Sequence, residues 1–238
     1  MMNNRWKVFL SLATLTFLGL QLCTGPMILN VGKQGKQLYE QEKYDQAIAE
    51  LKSTIEEHPK KAELRYYLGL AYLQKHDLDP ALAAYENALG IKENPTMDSM
   101  YSSIMAERAA ELRKAERYDE VPKWADQAIE LDKKNKKAYY EKYMAKGLRL
   151  YYQGSKWELW DAIVAFGNAS TAKPDEPMPY YYSAKSYLKK DEKDFENSIE
   201  QYNKALEHNP PREITSEIRS KLKDLKRRKK LYEDFWGN

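Results

Sequence analysis

The sequence has 238 residues, with 39 Lys and Arg against 36 Asp and Glu, so a chain that is 32% charged carries a net charge of only +3. A balance this even gives no global basic field of the kind that nucleic-acid binding uses. A single cysteine, Cys23, excludes an intrachain disulfide, and nineteen tyrosines supply apolar rings with polar tips that suit helix–helix contacts and wet binding surfaces alike.

Residues 1–30 stand apart from the rest. Arg5, Trp6 and Lys7 precede a run from Val8 to Leu22 without a charge, and three readings compete for it. An uncleaved anchor would extend from Val8 to Val31, about long enough to span hydrocarbon, with Gly25-Pro26 near its outer end. A lipoprotein signal would make Cys23 the lipidated residue, with Leu20 placed as that pattern prefers and Leu22 where a small side chain is usual. A cleaved secretory signal shares the same charged start and apolar run but shows no clear small-x-small site before Pro26. All three put the protein on a membrane or beyond one. The resemblance to an export signal favours the outer, periplasmic or extracellular, side for the rest of the chain, although Lys33, Lys36 and Lys43 weaken the positive-inside bias.

A first helical hairpin is predicted from Ile28 to Lys61. Its second helix carries Tyr44, Ala47, Leu51 and Ile55 at helical spacing and stops at His58-Pro59. Its first helix holds Gly35 and Leu38, is thin in large apolar residues, and is expected to be partly continuous with the preceding segment. Gly32-Lys33-Gln34-Gly35-Lys36 does not make a phosphate loop: the glycine spacing is wrong, no Ser or Thr follows the lysine, and no strand precedes it. The stretch from Ala62 to Pro95 is clearer. Leu64, Leu68, Ala71 and Tyr72 recur in one helix, then Ala81, Tyr85 and Ala88 in another, with a turn around His76 to Asp79. Gly69, Ala81 and Ala88 are small where two helices must cross closely, and Tyr72 and Tyr85 fill the space around them. Asp79 is predicted to cap the second helix, with Pro80 as its first residue. One such hairpin cannot bury its own apolar face and needs copies to stack on.

Leu68-Gly69, Tyr72, Ala81, Tyr85 and Ala88, within a unit of thirty-four residues, closely resemble the tetratricopeptide repeat family. Arg65, beside Tyr66, stands where that family usually has a bulky residue. The resemblance implies an architecture and a mode of action, which is binding. After a break at Asn94-Pro95-Thr96 the pattern returns at 102–135, 136–174 and 177–210. The third unit carries Met105, Ala109 and Leu112, then Tyr118, Val121, Ala125 and Ala128, with Pro122 tolerated in the first turn of its second helix. The fourth has a lengthened first helix from Lys136 to Tyr152, ended by Gly154, and a capping box at Ser155 to Glu158. The fifth is marked by Tyr180, Ala184 and Tyr187, then Phe195, Ile199, Tyr202 and Ala205. Residues 212–238 form a final helix with Ile214, Ile218, Leu222, Leu225 and Tyr232 on one stripe, suited to covering an open end. The expected fold is all-α: a right-handed superhelical solenoid of about five hairpins, spanning 31–211, with a C-terminal capping helix.

In the family that the sequence resembles, the first helices line a concave surface that holds an extended peptide or a partner's helix. Carried over, this implies Lys36 and Tyr39 from the first unit, Tyr66, Leu70 and Leu73 from the second, and Ala106, Ala110 and Arg113 from the third. Tyr140 and Met144 follow from the fourth, and Tyr181, Lys185 and Leu188 from the fifth. Rings beside cations suit a peptide that mixes apolar anchors with carboxylates. Gly32 and Lys36 stand where a carboxylate clamp would need lysine and asparagine, which disfavours a heat-shock co-chaperone. The basic run Lys226, Arg227, Arg228, Lys229 and Lys230 lies in a segment with nine Lys and Arg against five Asp and Glu; a solvated helix face and a contact with anionic lipid or RNA are the competing readings. His58, His76 and His208 are scattered over helix ends and turns, and no Cys, His and Asp grouping has metal-ligand spacing. No nucleophile arrangement is recognisable, and Asn168-Ala169-Ser170 matches a glycosylation acceptor only inside a predicted helix. The expectation is a non-enzymatic scaffold without metal, cofactor or small-molecule substrate. Its partner would be a protein or extended peptide, held at a membrane, as in the bacterial envelope proteins of this family that assist secretion or outer-membrane assembly. The alternative is a peripheral factor whose terminal helix binds anionic lipid or RNA.

Overall fold

The computed structural model describes residues 31–91 and 95–236; the predicted membrane segment and Cys23 lie outside the described residues. Five helical hairpins and one last helix succeed one another. The first hairpin is α1 (Lys33–Glu40) and α2 (Tyr44–Glu57), and the second is α3 (Ala62–Gln74) and α4 (Leu78–Leu89). The third is α5 (Pro95–Lys114), a 3₁₀ turn at Tyr118–Glu120 and α6 (Val121–Leu131). The fourth is α7 (Lys136–Gln153) and α8 (Leu159–Ala172), and the fifth is α9 (Pro177–Lys190) and α10 (Phe195–Glu207). The chain closes with α11 (Arg212–Trp236). Each hairpin packs its second helix against the first helix of the next, which is how a solenoid buries a continuous core without long-range pairing. Among the described residues no helix is long and apolar enough to cross a membrane.

The first three hairpins turn in the same way. Glu42, His76 and Glu116 have φ near +60°. The next residue's N–H reaches back to close the helix: Lys43 to Leu38 O at 2.9 Å, Asp77 to Tyr72 O at 3.0 Å, and Arg117 to Leu112 O at 2.9 Å. This is the Schellman closure, with a left-handed residue after the helix. It explains a one-residue difference from the sequence reading. Because the closure ends at Asp77, α4 begins at Leu78, and Asp79 and Pro80 lie within its first turn instead of opening it. Pro80 is tolerated there, since the first four N–H groups have no intrahelical partner.

Two other boundaries differ. Gly32 has φ +83°, so α1 begins at Lys33 and does not continue back through it as a helix. The break expected at Asn94-Pro95-Thr96 is over by Pro95, where α5 already starts. The extra residues there become added turns at the head of the third hairpin, with proline where its missing N–H is harmless. Asn135, which the sequence reading passed over, starts α7. Its side chain accepts from the Ala138 N–H at 3.1 Å and donates to Ser102 Oγ at 2.7 Å, while Ser102 donates to the Ala128 carbonyl at 2.6 Å. That buried chain of hydrogen bonds joins the second and first helices of consecutive hairpins to α5. At the fourth turn, Glu158 accepts from both N–H and Oγ of Ser155 at 2.7 and 2.8 Å; these bonds hold its carboxyl below the ordinary range.

The close approach within each hairpin fixes its phase. A Cβ on Gly35 would meet the Leu51 side chain at 2.6 Å, one on Gly69 the Tyr85 ring at 2.5 Å, and one on Gly147 the Phe166 ring at 2.5 Å. Leu51, Tyr85 and Phe166 are fully buried, as are Ala184 and Tyr202 in the fifth hairpin. At the far end Ile218, Leu222 and Leu225 of α11 pack with Tyr181, Ala184, Tyr202 and Ala205, so α11 covers the last hairpin.

Candidate functional site

The first helices α1, α3, α5, α7 and α9 supply the row of side chains that the family resemblance assigns to the concave face. Counting from the glycine or alanine at each crossing, the fourth residue further on is Tyr39, Leu73, Arg113, Tyr151 and Leu188. All five are half-buried, with part of each side chain open. Of the predicted groove residues, Lys36, Tyr39, Tyr66, Leu73, Arg113, Lys185 and Leu188 keep partial exposure. Four do not. Leu70, Tyr140, Met144 and Tyr181 are 7, 4, 1 and 3% exposed and pack among the hairpins. Ala106 and Ala110 are buried as well.

The fourth hairpin shows why its assignment failed. Its crossing glycine is Gly147 against Phe166, one helical turn later than a unit beginning at Lys136 would place it. The added turn at the head of α7 moves Tyr140 off the groove row and makes Tyr151 the residue that faces it. Tyr151, Tyr152, Tyr67, Tyr182 and Lys189 were not assigned to the groove from sequence. The signal that places Tyr151 is the pair Gly147 and Phe166, nineteen residues apart, where Gly69 and Tyr85 are sixteen apart.

Three clusters line this surface. At the N-terminal end Tyr39 lies 5.8 Å from Tyr44 and 5.9 Å from Tyr67, and the Lys36 ammonium sits 5.2 Å from the centre of the Tyr67 ring. The Tyr67 hydroxyl raises the Lys36 pKa above the ordinary lysine value. Next, α3 and α5 diverge and leave a hollow of about 310 Å³ lined by Leu73, Gln74, His76, Leu78, Ser103, Glu107 and Glu111. Its floor is apolar and its rim carries two carboxylates, each already paired: Glu107 with Lys137 and Glu111 with Arg108. At the C-terminal end the Tyr151 ring lies 5.0 Å from Tyr152 and 5.8 Å from Tyr182, with the Lys189 ammonium 4.9 Å from its centre. Lys185 sits 4.8 Å from the Tyr181 ring centre and donates to the Tyr181 hydroxyl at 2.9 Å, which in turn donates to Glu217 of α11 at 2.8 Å. Burial, and then the hydrogen bond to Glu217, push the Tyr181 phenol well above its ordinary value.

Between the hollow and the tyrosine cluster the surface is sealed. Arg113 of α5 bonds to Glu141 of α7, whose side chain is 4% exposed, and also lies over the Tyr140 ring at 5.8 Å. Burial opposes the Arg113 charge, but the hydrogen bond and charge of Glu141 outweigh it and raise its pKa. This arginine is therefore held by its own chain. The basic run divides in the same way: Arg227 and Arg228 pair with Asp224, and Lys229 with Glu196. Lys226 and Lys230 point outward. Among the described residues no three His, Cys, Asp or Glu come together as a metal site.

Residues 33–97 match the family model for the tetratricopeptide repeat. The match covers the first two hairpins and the start of α5. The fold of the chain is similar to that of YrrB, a tetratricopeptide-repeat protein described as having an unusual peptide-binding site, at 20% identity and a TM-score of 0.50, over 78% of this chain and 88% of that one. MamA from Desulfovibrio magneticus RS-1 is also similar, at 18% identity over 74% of this chain and 91% of that one, with a TM-score of 0.49. No curated protein sequence matches the chain.

Proposed function

We propose that the chain is a non-enzymatic scaffold that holds a protein or an extended peptide along its first helices, tethered to a membrane through residues 1–30. The observation that carries the groove reading is the open hollow between α3 and α5, flanked on both sides by tyrosine–lysine clusters. Its size takes one large apolar side chain on Leu73 and Leu78, while Lys36 and Lys189 at either end favour carboxylates nearby. Aromatic rings bind at low entropic cost, because each has only two side-chain torsions to fix. The peptide-binding site named for YrrB is the same class of ligand. Membrane tethering rests on the uncharged run from Val8 to Leu22 behind Arg5 and Lys7, and a role in envelope assembly or secretion is the process that such a tether suits.

The test is site-specific photocrosslinking in the native host, with the crosslinker at Leu73 or Tyr151 on the groove side and at Gln127 or Asn203 on the exposed side of α6 and α10. The proposal expects one and the same partner from both groove positions and none from the outer ones. Capture from the outer positions alone would overturn it.

A further inference from the structure

The last helix does more than cover the fifth hairpin. Its packing side is Ile214, Ile218, Leu222 and Leu225. On a face turned away from it Arg212, Arg219, Lys223, Lys226 and Lys230 fall, by helical phase, within a sector of about 60°, and all five are exposed. Among the described residues none of these five pairs with a carboxylate. The acids of α11 sit elsewhere: Glu217 is taken by Tyr181, Asp224 by Arg227 and Arg228, and Glu233 by Lys229. Asp234 lies just outside the sector, along one edge, and Glu213 lies farther round from that edge. Covering a solenoid end requires the apolar side alone and does not call for a file of cations on another.

The helix also outruns what it covers. Tyr232 is 6.1 Å from Phe195, at the start of α10, and beyond that contact the large side chains of the last turn are exposed among the described residues. Leu231, Tyr232, Phe235 and Trp236 are 62, 41, 77 and 69% exposed. A straight file of cations about 27 Å long from Arg212 to Lys230 thus ends beside a turn whose large apolar side chains stand in the open.

We propose that α11 is a membrane-surface helix: its cation file lies on anionic lipid headgroups and its far end dips, so that Leu231, Phe235 and Trp236 sink into the interfacial zone. The inference deepens the membrane part of the proposed function and rests on it. Each Lys or Arg near an anionic leaflet contributes on the order of 1 kcal/mol, and Trp and Phe favour the headgroup level. RNA phosphates would satisfy the cations but leave the apolar turn in water, which makes a lipid surface the better fit.

The experiment uses the full chain with Cys23→Ser and Trp236→Cys, the new thiol carrying an environment-sensitive fluorophore. Vesicles of phosphatidylcholine alone are compared with vesicles containing phosphatidylserine, some with brominated lipid as quencher. The proposal expects a blue shift and bromine quenching that need phosphatidylserine and weaken with salt. Reversing the file (R219E, K223E, K226E, K230E) should lower the phosphatidylserine-dependent component on the order of 10²–10³-fold without changing the circular dichroism melt. The N-terminal segment is common to both proteins, so the difference isolates α11. If both proteins bind both vesicle types equally with an unquenched label, the tether stands and the α11 proposal falls. If neither binds any vesicle, both fall. A label that responds to single-stranded RNA but not to vesicles would also overturn it.

Discussion

Removing the Arg113 guanidinium should unseat the middle of the solenoid. Glu141 is buried in the contact between α5 and α7, its side chain 4% exposed and Arg113's 19%. With Arg113→Met the carboxylate keeps its burial and loses its ion-pair partner. Breaking a buried pair from one side costs about 3–5 kcal/mol, whereas replacing both members by apolar residues of similar volume is often neutral or stabilising. Arg113→Met alone should therefore cost about 3–5 kcal/mol, roughly 6–20 °C in Tm for a chain of this size, and Arg113→Met with Glu141→Leu should recover most of it. A repeat array can unfold piecewise, so urea melts should be read together with hydrogen exchange in α5 and α7. A single variant losing less than about 1 kcal/mol, or a double variant as weak as the single, would refute the claim that this pair is desolvated and seals the surface.

Opposite signs are expected from two glycines of one hairpin. Gly147→Ala drives a Cβ to 2.5 Å from the Phe166 ring and should destabilise by about 1–2 kcal/mol, while Gly167→Ala, with nothing within 4 Å, should stabilise by about 0.4–1 kcal/mol; thermal melts decide. Met144→Ala should cost about 2–5 kcal/mol of stability, whereas half-buried Tyr151→Ala should cost clearly less and weaken capture of the partner; equal melts for the two would undo the reassignment of the fourth hairpin. Burial raises the phenols of Tyr85, Tyr140, Tyr182 and Tyr202 above the ordinary 10.0. The folded state then holds protons that the unfolded state releases, so this stability is intact below about pH 10 and is lost as pH rises above it, at about 1.4 kcal/mol per pH unit per tyrosine. Absorbance titration alongside urea melts should show these phenols ionising only as the chain unfolds. All nineteen tyrosines titrating together in the folded protein would contradict it.

The hairpins were legible because their spacing is repeated. Gly69 with Tyr85, and Ala184 with Tyr202, announce the crossings directly. What failed was register where turns were added. Pro95 reads as a breaker, yet proline at the head of a helix removes a donor that has no partner anyway, and α5 simply begins there. The Tyr-rich head of α7 offered several phases, and only the contact of Gly147 with Phe166 selects one. Groove membership was less visible still, because exposure of a residue depends on how far neighbouring first helices diverge. Leu73 is open where α3 and α5 part, while Met144 lies under the close contact of α5 with α7. Neither divergence nor the Arg113–Glu141 seal has a local signature, since the partners lie twenty-eight residues apart.

The central claim is that a partner binds along the first helices. Hydrogen exchange on the full chain, with and without the partner identified by crosslinking, tests it most directly. Slowed exchange is expected in the exposed parts of α3, α5, α7 and α9, centred on Leu73 and Tyr151, with α4, α6 and α10 unchanged. Protection confined to α4, α6 and α10 would contradict the account.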